Sequence, residues 1–246
     1  MYTQNSIKLI SLNIEMNKHL DTVIVFLQKE KPDVVCLQEV SEYDFPRLQE
    51  VLGMEGRYEP MLRVAGPRPD RALAGGTVGL GLFSRFPSTF VIEYYSGDVS
   101  AIPREQDDNQ GARGTLLQAE FFAWEKEYVV GTTHFTWTPN GEASPEQRTD
   151  MDNLLSILSK HEQIVFCGDF NAPRGREMWG KIASQYKDNI PPEYISSVDP
   201  LLHRAKGLEV MVDGLFSTPE YRVSDVRLVE GVSDHKAVVG TIEKIN

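Results

Sequence analysis

Little in this sequence points to a membrane or to an oxidising compartment. Only two cysteines occur in 246 residues, Cys36 and Cys167. Each sits in a short apolar run that reads as a buried strand, so two free thiols are expected rather than a disulfide or a redox pair. No apolar run approaches the roughly 20 residues that a membrane-spanning helix requires. The opening, MYTQNSIKLISLN, lacks the basic region and long apolar stretch of a signal peptide. These absences lead to an expected cytoplasmic location. Positive charge is also scarce: 25 Lys and Arg against 36 Asp and Glu give a net charge of −11. An acidic surface repels nucleic-acid phosphates and anionic lipids at long range, which argues against tight nonspecific DNA binding. A few local arginines or a bound divalent cation can still accommodate one phosphate ester. No linker, low-complexity tract or solenoid-length period is present, so one domain is expected over residues 1–246.

What the chain does have is a succession of apolar runs of strand length. Ile7–Leu12 and Val34–Leu37 flank a segment in which Leu20, Val23, Ile24 and Leu27 mark one helical face, ended by Pro32. A second helix is expected over Tyr43–Leu52. The loop RVAGPRPDRALAGG then leads to strands TVGLGLFS and TFVIEYYS, joined by the turn RFPS. Residues 97–112 are polar and aperiodic, as a lid or binding loop would be. Strands follow at Gly114–Phe122 and Tyr128–Thr133. A helix starts near Pro145, with Met151, Leu154, Leu155 and Leu158 on one face. QIVFCG reads as a strand and EMWGKIASQY as a short helix. After an irregular stretch over 187–208, VMVDGLFS, RVSDVRLV and KAVVGTI read as strands. Strands in both halves suggest two antiparallel-rich sheets packed face to face with helices outside.

Polar residues collect where these strands end. Asn13 closes the first strand, with Glu15 just beyond it. Gln38 and Glu39 close the second, and His134 closes VVGTTH. Asp169 and Asn171 follow IVFCG, Asp213 interrupts VMVDGLF, and Asp234 and His235 precede KAVVG. Gathering carboxylates costs desolvation and mutual repulsion, which a hard divalent cation offsets. Mg²⁺ prefers oxygen ligands and keeps several waters, leaving the other groups free for chemistry. Such a set suits attack by water on a phosphate ester. Each position alone also has a structural reading: a turn residue, an Asx turn in GDFN, a hydrogen-bonded core histidine, an exposed ion pair in SDH.

In order and rough spacing, SLNIE, CLQEV, TTHF, CGDFN, VDGLF and SDHKA resemble the endonuclease/exonuclease/phosphatase superfamily, across residues 7 to 242. The strand and turn GLGLFSRFP add to the likeness. The resemblance implies a four-layer α-β-β-α sandwich of two packed, mostly antiparallel mixed sheets. It implies a Mg²⁺-dependent phosphoesterase, with Mn²⁺ as a substitute. Glu39 would be the principal metal ligand, with Asn13 and Asp234 completing the metal environment directly or through water. Asp169 would orient or deprotonate the attacking water, and Asn171 would hold a nonbridging phosphate oxygen. His235 would contact the phosphoryl group while Asp213 fixes its tautomer. His134 would be a second phosphate contact or assist the leaving group. Arg113, in GARGTL, would support the site as a substrate-binding residue.

The chain departs from the family pattern in three places. Leu12 stands where many members carry an aromatic residue. Met211, Val212, Asp213 and Gly214 replace the frequent Arg-Ile-Asp-Tyr. His134 replaces the tyrosine of the apurinic endonucleases and moves the chain toward the deoxyribonuclease, sphingomyelinase and tyrosyl-DNA phosphodiesterase branches, as does Arg148 at the start of a helix. Nucleic acid is the first expected substrate. A sugar phosphate or phospholipid head group is the alternative, and a catalytically silent domain of the same fold is a third. Arg63, Arg68, Arg71, Arg174 and Arg176 are candidate phosphate contacts. Trp137 and Trp179 are candidates to stack on a base, with core packing as the competing role.

Overall fold

The computed structural model describes residues 5–66, 75–105 and 111–245. Arg68 and Arg71 lie outside the described residues. In chain order the elements are β1 (Ile7–Asn13), α1 (Leu20–Glu30), β2 (Val34–Ser41), α2 (Phe45–Leu52), β3 (Glu55–Arg63), β4 (Thr77–Ser84) and β5 (Ser88–Tyr94). They continue with β6 (Thr115–Ala123), β7 (Lys126–His134), α3 (Pro145–Leu158), β8 (Val165–Asp169), α4 (Glu177–Ala183), β9 (Lys187–Asp188), β10 (Asp213–Ser217), β11 (Tyr221–Val229) and β12 (Ala237–Lys244). One six-stranded sheet runs β11-β12-β1-β2-β4-β3 and the other β5-β6-β7-β8-β10-β9.

The sheets are mixed in the same way. The helical crossover through α1 makes β1 and β2 parallel, and that through α3 makes β7 and β8 parallel. The other ladders are antiparallel. Strand periodicity sorts the side chains into layers. Ile7, Leu9, Val34 and Cys36 point inward and share a core with Leu117, Val130, Val165 and Cys167 of the second sheet. The alternate residues Ile10, Leu12, Val35 and Leu37 point outward and pack under Leu20, Val23, Ile24, Leu27 and Leu48 of α1 and α2. Across the molecule, α3 and α4 cover the second sheet with Met151, Leu154, Leu158, Trp179 and Ile182. β1 lies against β8 and β2 against β7. The four-layer sandwich is therefore the architecture. Both cysteines are free and buried. No helix among the described residues is long and apolar enough to cross a membrane.

The strands and helices read from the sequence reappear with shifted ends, but β3 was not among them. The segment EGRYEPMLR is largely half-exposed on the edge of its sheet, and Pro60 stands at a register shift in its pairing with β4. Proline within a run argues against a central strand but is tolerated on an edge. The strand expected over VMVDGLFS starts only at Asp213.

Candidate active site

The parallel pairs bring their carboxyl ends to one rim. There Asn13 stands beside Gln38, and His134 beside Asp169. Antiparallel β10 begins at the same level, with Asp213 opposite Asp169. Asp234 and His235 arrive from the segment just before β12. All the expected site residues except Arg113 and Asp213 line one cavity of about 400 Å³, joined by Glu15, Met16, Asn17, Lys18, Trp137, His203 and Arg204. Asp213 is buried directly behind His235.

Local backbone distortions aim several of these groups. In β2 the register against β4 shifts between Leu37 and Val40, so Gln38 and Glu39 oppose a single residue. Glu39 sits in this bulge at φ 58°. Glu15, Met16 and Asn171 also have left-handed backbones, at φ 47°, 58° and 48°. Non-glycine residues adopt this region at a cost, and bulges and such strained positions gather where a side chain must be re-aimed. Beneath the bulge, buried Gln38 donates to Thr132 Oγ1 of β7 at 3.0 Å and ties the two sheets together.

Asp169 is the hub. Its Oδ2 accepts from Asn13 Nδ2 at 3.1 Å and lies 3.5 Å from His134 Nε2 and 3.8 Å from His235 Nε2. Its Oδ1 accepts the Asn171 backbone N–H at 2.9 Å. Asn171 donates its amide to Phe135 O at 2.9 Å, which fixes the side chain beside the hub. His235 Nδ1 pairs with Asp213 Oδ2 at 2.7 Å. Burial alone would lower the imidazole pKa. Asp213, Asp169 and Asp234 outweigh it and raise it well above its ordinary value, which favours the protonated ring.

The acidic side of the cavity fits a hard cation. Burial pushes the Asp234 carboxyl up to about 7, and Glu15 and Glu39 reinforce the shift against the opposing effect of His235. Crowding of this kind is what a divalent cation relieves. The most tightly grouped set of potential ligands is Asp169, Asp213 and His235, whose donor atoms lie within 4.8 Å of one another. Its imidazole is already engaged by Asp213, so the oxygens suited to Mg²⁺ are those of Glu39 and Asp234.

The structure revises several expected roles. Asn13 turns its Nδ2 to Glu39 and Asp169, and its Oδ1 accepts the Glu15 N–H at 3.1 Å, so it bridges the acids. Arg113 does not line the cavity. Its buried guanidinium donates to Glu59 at 2.6 Å and Pro60 O at 2.7 Å and lies over Tyr94, joining the edge strands of the two sheets. Arg174 is held by Asp188 and the carbonyls of Ile190, Pro191 and Tyr194, and Arg176 by Asn140 and Glu142. Arg148 forms a two-pronged pair with Glu177. Trp179 is core, packed on Phe170 and Phe216, whereas Trp137 is 63% exposed at the cavity wall. His203 and Arg204 carried no signal in the sequence, since they sit in an irregular stretch without motif or period.

The fold and this site define a class. Residues 10–235 match the model of the Endonuclease/Exonuclease/phosphatase family, and the chain belongs to that family. It is 26% identical over 170 residues to Nocturnin of Drosophila melanogaster, an overlap of 66% of this chain and 25% of that protein. The chain thus spans about a quarter of that relative's length. An endonuclease/exonuclease/phosphatase from Beutenbergia cavernae superposes with a TM-score of 0.75 at 20% identity, covering 98% of this chain and 72% of the other. A mannosyl-6-phosphatase from Bacteroides thetaiotaomicron gives 0.69 at 12% identity, covering 96% and 99%. These structures share the fold.

Proposed function

We propose that this chain is a divalent-cation-dependent hydrolase of phosphate esters that uses water as its nucleophile. The observation that carries this reading is the convergence on one rim of Asn13, Glu39, His134, Asp169, Asn171, Asp234 and His235, drawn from both sheets. Glu39 and Asp234 would hold Mg²⁺, or Mn²⁺ with the same taste for oxygen. The cation supplies charge neutralisation on a phosphoryl oxygen. Asn13 steers Glu39 and Asp169 toward each other. Asp169 orients the attacking water and takes its proton. Asn171 and cationic His235 hold nonbridging oxygens and stabilise the charge that builds on them, with Asp213 keeping the ring charged and oriented. His134 serves as a further phosphate contact or attends the leaving group.

Of the expected substrates, a compact ester is favoured over a long duplex. Arg113, Arg148, Arg174 and Arg176 are all committed to carboxylates of the chain itself. The net charge of −11 also works against the approach of a long duplex backbone. Single nucleotides, short single strands and sugar phosphates are therefore the candidate substrates. The test is hydrolysis of p-nitrophenyl phosphate and bis(p-nitrophenyl) phosphate with Mg²⁺, Mn²⁺ or chelator, followed by nucleotides, DNA, RNA and sugar phosphates. Turnover that needs the cation and is lost in Glu39→Ala supports the reading. An inert protein across the panel would sink it in favour of a silent domain.

A further inference from the structure

We propose that Arg204 is the substrate-anion contact of this site and biases it toward phosphate monoesters over diesters. The inference rests on the hydrolase reading and goes beyond it to the substrate class.

The irregular segment that carries Arg204 is stapled to the strand ends that carry the chemistry. Asp199 N–H donates to Asp234 O at 2.7 Å, and Val198 bridges to His235. The buried Asp199 carboxylate then organises the turn that follows. Its Oδ1 accepts the Leu201 and Leu202 N–H groups at 2.9 and 2.8 Å, and its Oδ2 accepts Gly231 N–H at 2.7 Å. On the other side, Ser197 Oγ accepts the Val212 and Asp213 N–H groups, each at 3.0 Å. The turn therefore cannot drift independently of Asp213, Asp234 and His235. It sets the His203 ring edge-on to that of His235, with centroids 6.2 Å apart, and puts Arg204 in the cavity wall.

Charge accounting then singles out Arg204. The cavity's other permanently charged side chain, Lys18, pairs with Glu15 at 2.8 Å, and the His134 and His235 rings lie beside Asp169 and Asp213. Arg204 has no carboxylate partner among the described residues, and it is exposed toward solvent. A guanidinium presents a planar fork suited to two phosphate oxygens.

Oxygen counting points to the monoester. A diester has two nonbridging oxygens, and the residues that would hold the cation, Glu39 and Asp234, together with the Asn171–His235 side would suffice for both. A monoester has a third terminal oxygen and a second negative charge. In a cavity rich in carboxylates, an unmatched cation strengthens binding of that second charge most.

The test compares wild type with Arg204→Ala and Arg204→Lys, using Arg222→Ala as a control for loss of one distant surface charge. In the presence of Mg²⁺, kcat/KM is measured for p-nitrophenyl phosphate and bis(p-nitrophenyl) phosphate, and inorganic phosphate is titrated calorimetrically. Arg204→Ala should lower monoester kcat/KM and phosphate affinity by about 10-fold or more, the order of one charge-assisted pair, and diester turnover by less than about 3-fold. Arg204→Lys should recover part of the phosphate affinity. Equal losses on both esters, or phosphate binding unchanged in Arg204→Ala, would overturn the proposal. If wild type cleaves neither ester, the hydrolase reading fails, and the phosphate titration still decides whether Arg204 holds the anion.

Discussion

At the scale of the residue, the proposed function divides the site into groups that would hold the cation or the substrate and groups that would hold others in place. Glu39 falls in the first set, as a ligand of the cation. Glu39→Ala should reduce cation-dependent turnover by about 100-fold or more while leaving the urea midpoint close to wild type. An unchanged rate would remove Glu39 from the chemistry. Asp213 belongs to the second set, since it lies behind His235 and meets it through one 2.7 Å hydrogen bond. Asp213→Asn keeps the shape and removes the charge that orients the ring. Its kcat should fall by about 100-fold or more with KM little altered, because the loss is felt as charge builds at phosphorus. A change confined to KM would instead mean that the ring only binds. Motif order made these acidic and imidazole positions legible in the sequence. It misled on Arg113 because an Arg between an Ala and a Gly cannot announce Glu59, its partner 54 residues earlier.

At the scale of the element, two features control how the strands reach the rim. Gly168 precedes Asp169 with φ +142°, and a Cβ there would lie 1.9 Å from Thr133 O on the neighbouring strand. Gly168→Ala should destabilise the fold by about 3 kcal/mol or more, measured by urea unfolding, because backbone and not a flexible side chain would have to yield. The outer face of β1 is pinned to α1 through Glu30, which pairs with Lys8 and with Arg227 of β11. Burial works to raise the Glu30 pKa, but the hydrogen bonds and charges of Lys8 and Arg227 prevail and lower it below 4.5. Its contribution to stability is therefore complete above the unfolded value and fades as pH falls through the lower folded one. Glu30→Gln should narrow the gap between unfolding midpoints at pH 7 and pH 3.5, and an unaltered gap would show that the pair contributes nothing. Helices and central strands were legible because their apolar periods are strong. β3 was hidden because an edge strand with Pro60 buries too little to leave a pattern. The shortened start of β10 has another cause: the Val210 carbonyl and the Val212 N–H are taken up by Ser197, contacts that local periodicity does not encode.

At the scale of the whole molecule, the acid excess and the crowded rim make one system. Mg²⁺ that binds the native rim and not the unfolded chain should raise the melting temperature by about 5 °C or more at roughly 100-fold over its Kd. Glu39→Ala should abolish that rise. A thermal shift that persists in the variant would place the cation elsewhere. The loops of 187–208 were legible only as loops, and their staples emerged from contacts between residues that no motif links. The parallel strand pairs described above carry one more consequence, for the time at which the protein becomes competent. Glu39 belongs to the first crossover, Asp169 to the second, and His235 comes just before the closing strand β12, which must insert beside β1. No part of the chain can assemble a working subset early. The rim is complete only once β12 has paired with β1, so whatever chemistry it carries should appear together with the long-range pairing of both sheets and not before.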